Sequence, residues 1–132
     1  MIKNIEQSLK KLFKENDIDV LVSQPEKSEF VSVISLDKYT KNKIAMDNNY
    51  KVDIMQFLLH IVAGNHEQMA DILERYLSFK EPLETPFVVY DFSSGLAVKD
   101  VECTISMPRD IQFNTPFGTT FMDDIIITYR RL

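Results

Sequence analysis

Apolar and polar positions alternate along the chain with two different periods, and the switch between them marks out the elements. Ile2, Ile5, Leu9, Leu12 and Phe13 recur at helical spacing, with Lys3, Lys10, Lys11 and Lys14 off that stripe. The pattern predicts an amphipathic helix over residues 2–15, stopped at Asn16 and Asp17. Ile18, Val20 and Val22 then alternate with Asp19 and Leu21, as in a strand. After a turn at residues 25–28, the stretch EFVSVISL (29–36) is rich in β-branched and aromatic residues and predicts a second strand. The two are expected to pair as a hairpin. Residues 37–51 are polar and predict a long loop, with a short third strand around 43–46. A loop of that length in a small domain is often functional or mobile.

In the middle of the chain Val52, Met55, Leu58, Leu59 and Val62 fit a 3.6-residue period, and Ile54, Phe57 and Ile61 widen the stripe. This predicts a helix over 52–63 that is apolar around much of its circumference. Gly64 stands where a left-handed helix terminus is wanted. Asn65 is a candidate N-cap for a second helix over 66–79, with Gln68 three residues on. Met69, Ile72, Leu73, Tyr76 and Leu77 define its apolar face.

Pro82 and Pro86 end helical structure. FVVYDF (87–92) predicts a strand and Ser93-Ser94-Gly95 its turn. From Leu96 onward the alternation is long: Val101, Cys103, Ile105 and Met107 on one side, Glu102, Thr104 and Ser106 on the other. Pro108 marks a bend, residues 111–113 continue the strand, 114–118 form the tip, and 119–129 return. The return strand carries Ile125, Ile126 and Ile127 in succession, and three consecutive residues of a strand cannot all face one core. Either both faces of this strand are covered, or one lies against another molecule. The expected architecture is one α+β domain over 1–132. It comprises an antiparallel β-sheet with an N-terminal helix and a central helix pair packed on it, and a long C-terminal β-hairpin.

Composition narrows the chemistry. At 132 residues with 45% hydrophobic and 27% charged residues, the chain has ordinary globular make-up. Its net charge of −5 argues against a general phosphate-binding surface, and no basic strip interleaves with the aromatics, so no specific nucleic-acid binding is expected. No apolar run is long enough to cross a bilayer, and the first residues lack the apolar core of a secretory signal. The Lys cluster at 3–14 could touch a membrane or an acidic partner, but a solvated helix face explains it, and no membrane contact is expected. Charge is uneven: residues 1–51 are close to neutral and residues 52–132 carry the acidic excess, an asymmetry that can steer association.

A single cysteine, Cys103, leaves no internal disulfide and no multi-thiolate metal site. With only three glycines, none near another, there is no phosphate-cradling loop. His60 and His66 lack the spacing that holds zinc on one helix. Asp110 and Asp124 could meet across the terminal hairpin and hold a divalent cation, but Arg109 lies in the same register and a salt bridge is the plainer expectation. No cofactor, metal or catalytic set is expected.

What remains is organisation: an N-terminal helix, a sheet, intervening helices, and a closing strand that reads Asp123-Asp124-Ile125-Ile126-Ile127-Thr128-Tyr129. In this the chain resembles phage tail proteins of the tail-terminator or tail-tube type, with the difference that two adjacent helices precede the C-terminal strands. The resemblance implies a non-enzymatic structural subunit of the virion tail, made in the host cytoplasm. It also implies assembly into a ring with copies of itself and contact with other tail proteins. The residues expected at the assembly interface are Phe117, Phe121, Ile125, Ile126, Ile127 and Tyr129. The alternative is a monomeric acidic binding or inhibitor protein acting through Asp91, Asp100, Glu102 and Asp110.

Overall fold

A computed structural model of the chain describes residues 1–22, 31–44, 50–113 and 119–132. The elements run α1 (Ile2–Glu15), β1 (Leu21–Val22), β2 (Val33–Ile44), β3 (Lys51–Val62), α2 (His66–Phe79), β4 (Thr85–Pro86), β5 (Val101–Ser106), β6 (Gln112–Phe113) and β7 (Thr120–Arg131). The fold is mixed α+β. Its strands join in the order β1-β2-β3-β7-β5-β4, with β6 also on β7, and every pairing is antiparallel except β1 with β2.

The helix expected over 52–63 is instead the strand β3, Lys51–Val62, so the expected central helix pair reduces to α2 alone. The buried positions of β3 are Val52, Met55, Phe57, Leu59 and Ile61, mostly two apart. The opposite face also carries Ile54, Leu58 and Val62, because β3 lies inside the sheet between β2 and β7. A strand apolar on both faces fits a helical stripe almost as well as a strand alternation.

Two further expectations are corrected. The strands predicted at 18–24 and 29–36 do not form an antiparallel hairpin, because Leu21 and Val22 run parallel to Val33 and Ile34. The stretch from Asp37 onward is not a loop: β2 continues to Ile44, paired with the first half of β3. Its register shifts at Leu36/Lys38 and again at Thr40/Lys43, where Asn42 sits at φ 56. Extra residues of this kind bend and twist a ribbon. From Leu36 to Ile44 β2 is exposed throughout, and among the described residues no strand pairs with its outer edge there. Of the short strand expected around 43–46, residues 43 and 44 end β2; 45 and 46 lie outside the described residues, as do 25–28 and the tip at 114–118.

Both helices cover one face of the sheet. Ile5, Leu9 and Phe13 of α1 and Met69 and Tyr76 of α2 meet Ile34, Met55, Phe57, Leu59, Ile61, Cys103, Ile105, Phe121, Ile125 and Ile127 in one core. An aromatic group ties the layers together: Phe13 lies 5.1 Å from Phe79 and 5.9 Å from Tyr76, and Tyr76 lies 5.6 Å from Phe121, between ring centroids. Such tilted and edge-on pairs suit the ring quadrupoles. The helix ends follow the sequence. The amide of Ile18 returns to the Phe13 carbonyl past Asp17 at φ 60, which closes α1. Asn65 caps α2 by accepting from the Gln68 amide at 2.8 Å, while the Gln68 side chain accepts from the Gly64 amide at 3.0 Å.

After α2 the chain runs along the far edge. The Phe87 amide donates to the Cys103 carbonyl, and the Tyr90 amide to the Ser8 hydroxyl of α1. Gly95, at φ 77, donates back to the Asp91 carbonyl in the turn that follows. β5 ends at Ser106, two residues before Pro108; β6 then pairs Gln112 and Phe113 with Met122 and Phe121. Thus β7 carries β3 on one side, and β5 and β6 in succession on the other.

Candidate functional site

Each strand of a sheet presents alternate side chains to opposite faces. In β7 the inward set is Phe121, Asp123, Ile125, Ile127 and Tyr129, all buried; the outward set is Met122, Asp124, Ile126, Thr128 and Arg130, all partly exposed. Of the six residues expected at an assembly interface, Phe121, Ile125, Ile127 and Tyr129 therefore lie in this chain's own core, beneath its own helices. Their apolarity needs no neighbour to explain it. Ile126 alone of the Ile triplet faces the uncovered side, and Phe117 lies outside the described residues.

The uncovered face is the first candidate surface. Across the β3–β7 register Ile126 stands opposite Gln56 and between Ile54 and Leu58, and Met122 stands opposite His60 and between Leu58 and Val62. The five apolar side chains interleave in a zigzag, each only partly buried. Both helices bury their apolar residues in the core on the other side, and on this side Arg109, Asp110 and Gln112 border Leu58 and Met122 at one end of the patch. Isolated apolar side chains on a surface are ordinary; a contiguous set on one sheet face is the kind of patch that partners cover.

A second feature lies where β3 begins and β7 ends. Lys41, Asn42, Tyr50, Lys51, Asp53, Arg130 and Arg131 surround a cleft of about 630 Å³. Asp53 accepts from the Tyr39 hydroxyl at 2.7 Å and from the Asn42 amide at 2.9 Å. Partial burial works against its charge, but these two donors and the cations Lys41 and Arg131 prevail and hold its carboxyl below the usual range. The same bond, with burial and the carboxylate charge added, pushes Tyr39 up to about 12. Arg130 stacks on Tyr50 at 3.8 Å from the ring centroid and reaches Glu102 at 3.5 Å. Lys41, Lys51 and Arg131 have no carboxylate within salt-bridge distance among the described residues.

The third feature is internal. Asp123 is buried under α2, where its Oδ2 accepts from the Tyr76 hydroxyl and from the Lys80 ammonium, each at 2.5 Å. Its Oδ1 accepts from the Asp124 amide at 2.9 Å. Burial first, then the neighbouring carboxylate, drives the Tyr76 hydroxyl far above its ordinary value, so it stays a donor. This is a buried polar brace with its acceptors satisfied. Asp123 was not singled out as a core residue from sequence, yet a carboxylate in the same alternating register as Phe121 and Ile125 is a signal that a partner must exist.

The remaining chemical candidates are dispersed. Asp110 and Asp124 line one small cavity of about 130 Å³, together with Arg109, whose Nε lies 3.4 Å from Asp124. Among the described residues no group of three or more His, Cys, Asp or Glu side chains is placed to hold a metal ion. Cys103 is buried, and burial pushes its thiol up to about 12, which disfavours the nucleophilic thiolate. His60 is on the uncovered sheet face and His66 is exposed at the start of α2. Of the acidic set considered for partner binding, Asp91 is engaged in its own turn with Ser93 and Glu102 with Arg130, while Asp100 and Asp110 are exposed. No helix among the described residues is long and apolar enough to cross a membrane. No family model matches the chain, and no curated protein matches it.

Proposed function

We propose that the chain is a structural subunit of a phage tail or related injection apparatus, which acts by assembling into a ring with copies of itself. The observation that carries the reading is the uncovered sheet face, where Ile54, Leu58 and Val62 of β3 interleave with Met122 and Ile126 of β7. A neighbour that packs there removes apolar surface from water, and each square ångström of it favours association by roughly 25 cal/mol before ordering costs. The edge of β2 from Leu36 to Ile44, which no strand pairs among the described residues, is also open to a strand from another molecule, although Lys38, Lys41, Lys43 and two register shifts blunt it.

The organisation also supports it. With residues 51–62 in a strand, the order is helix, sheet, helix, strands, and the paired central helices that set this chain apart from tail-terminator and tail-tube proteins are gone. Within the proposal, the terminal ribbon of β5, β6 and β7 takes part in the ring through Ile126 and Met122, while Ile125 and Ile127 hold the subunit together. Sedimentation velocity across micromolar concentrations, with electron microscopy of the same samples, tests this. Discrete particles of several subunits with a central opening are expected; a chain that stays monomeric at tens of micromolar overturns the proposal.

A further inference from the structure

We propose that the cationic cleft at the end of the sheet receives the acidic stripe of α2 from a second copy of the chain. The inference rests on the ring reading and adds a charged contact to the apolar sheet face. In α2 the residues Met69, Ile72, Leu73 and Tyr76 pack inward, and Glu67, Asp71 and Glu74 fall on the side directly opposite, all exposed. Spaced four and three residues apart, they make neighbouring like-charge pairs, which cost an isolated helix stability. Among the described residues none of the three has a salt-bridge partner. The stripe spans roughly 10 Å along the helix.

The cleft is its complement. Lys41, Lys51, Arg130 and Arg131 gather at one opening in a chain of net charge −5. The carboxylate within the cleft, Asp53, accepts from Tyr39 and Asn42 and offsets part of the charge of Lys41 and Arg131, but four cations against one carboxylate leave the cleft lining net positive. Charge of opposite sign on two surfaces steers encounter and fixes register more than it adds raw affinity.

The two surfaces cannot meet within one molecule. The cleft is where β3 starts, at Lys51, and α2 follows the point where β3 ends, at Val62. Ala63 is tied there to Thr119 and Tyr76 to Asp123. A strand of that length separates them by roughly 35 Å. Unlike patches at opposite ends of a subunit can be joined in an antiparallel two-fold pair, which uses both contacts at once, or head to tail, which closes into a ring or continues as a fibre. The ring reading takes the head-to-tail arrangement, and the mass of the particles in sedimentation separates it from a dimer.

The test is a charge swap read by sedimentation velocity. One variant combines Lys41→Glu, Lys51→Glu and Arg131→Glu; the other combines Glu67→Lys, Asp71→Lys and Glu74→Lys. All six positions are exposed, and circular dichroism melts check that both variants fold. Each variant alone should self-associate at least tenfold more weakly than the parent chain, and the equimolar mixture should recover assembly, because each reversed cleft then meets a reversed stripe. Assembly of the parent should also weaken between 50 mM and 500 mM NaCl. If the parent assembles and the variants assemble just as well, the contact is wrong while the ring reading stands. If the cleft variant fails and the mixture does not recover, the cleft takes another anionic surface and the proposal is overturned. A parent chain that never leaves the monomer removes both.

Discussion

The Tyr76 hydroxyl and the Asp123 carboxylate meet at 2.5 Å between α2 and β7, and Lys80 reaches the same carboxylate oxygen from the end of the helix. This places an ion pair inside a layer otherwise held by Phe13, Phe121 and Ile125. The Asp123 side chain is fully buried and the Lys80 side chain 15% exposed. Removal of one partner from such a pair leaves a desolvated charge. Asp123→Ala should therefore cost about 3–5 kcal/mol. Tyr76→Phe keeps the ring packing and deletes one bond to a charged acceptor, about 1.5–3 kcal/mol. Urea unfolding monitored by circular dichroism measures both, and a Tyr76→Phe loss equal to that of Asp123→Ala would show that the hydroxyl, not the ion pair, is the brace.

Asn65 starts α2 directly after a strand, with Ala63 and Gly64 between. Its side chain satisfies the Gln68 amide, and Gln68 satisfies Gly64 in return. Asn65→Ala should destabilise by about 1 kcal/mol, and Asn65→Asp should restore most of it. Gly64 is the other half of this joint: a Cβ there would stand 2.7 Å from the Gln68 side-chain oxygen. Gly64→Ala should thus move the end of the flexible Gln68 side chain and cost less than Asn65→Ala, since Gly64 has no left-handed φ to lose. A melt unchanged by Asn65→Ala would remove the cap from the account.

The parts of this fold that were legible in sequence are those whose pattern is one-sided. The stripe Ile5, Leu9 and Phe13 marked α1, and Val101, Cys103, Ile105 and Met107 marked the inward face from β5 onward, because the residues on the other side of each are polar. Residues 51–62 defeated the same reasoning. Their inward set and their outward set, Ile54, Leu58 and Val62, are both apolar, and together they imitate a helix. The second half of β2 failed for the opposite reason. Lys38, Thr40, Lys41 and Lys43 are exposed along the edge of the β2–β3 ribbon, where side chains on both faces meet water and show no alternation, so only the pairing with β3 reveals a strand. The cationic cleft was not legible in sequence, since Lys41 and Lys51 join Arg130 and Arg131 through the register of β2, β3 and β7 and not through nearness in sequence.

Tyr39 and Asp53 link the two strands of that ribbon at its base. The hydrogen bond to Asp53, with burial and the carboxylate charge behind it, raises Tyr39 to about 12, so its proton leaves later than from an ordinary tyrosine. For a group whose folded value is raised, the stabilisation is complete below about pH 10, the unfolded value, and is lost as pH climbs through the folded value. Asp53 has the opposite sign: its contribution is present above the ordinary carboxylate value and is lost as pH falls through its lowered one. Spectrophotometric titration at high pH should show one tyrosine moving to lower pH in Asp53→Asn. A titration identical to that of the parent would mean the bond does not form in solution.

The run Ile125-Ile126-Ile127 separates the subunit's own stability from its assembly within three adjacent residues. Ile125 and Ile127 are fully buried against the helices, and Ile126 stands on the other face between Ile54 and Leu58. Truncation of a buried Ile to Ala should cost about 2–5 kcal/mol of unfolding free energy, because the lost transfer energy adds to a cavity the sheet cannot collapse. Ile126→Ala removes a partly exposed side chain and should cost the isolated subunit under about 1 kcal/mol. The same substitution, or the harsher Ile126→Lys, should weaken self-association in sedimentation, whereas Ile125→Val, mild enough to keep the fold, should leave it unchanged. A chain in which Ile126→Lys assembles like the parent would show that the uncovered sheet face is solvated surface, and the ring would then have to be built through the β2 edge and the charged ends alone.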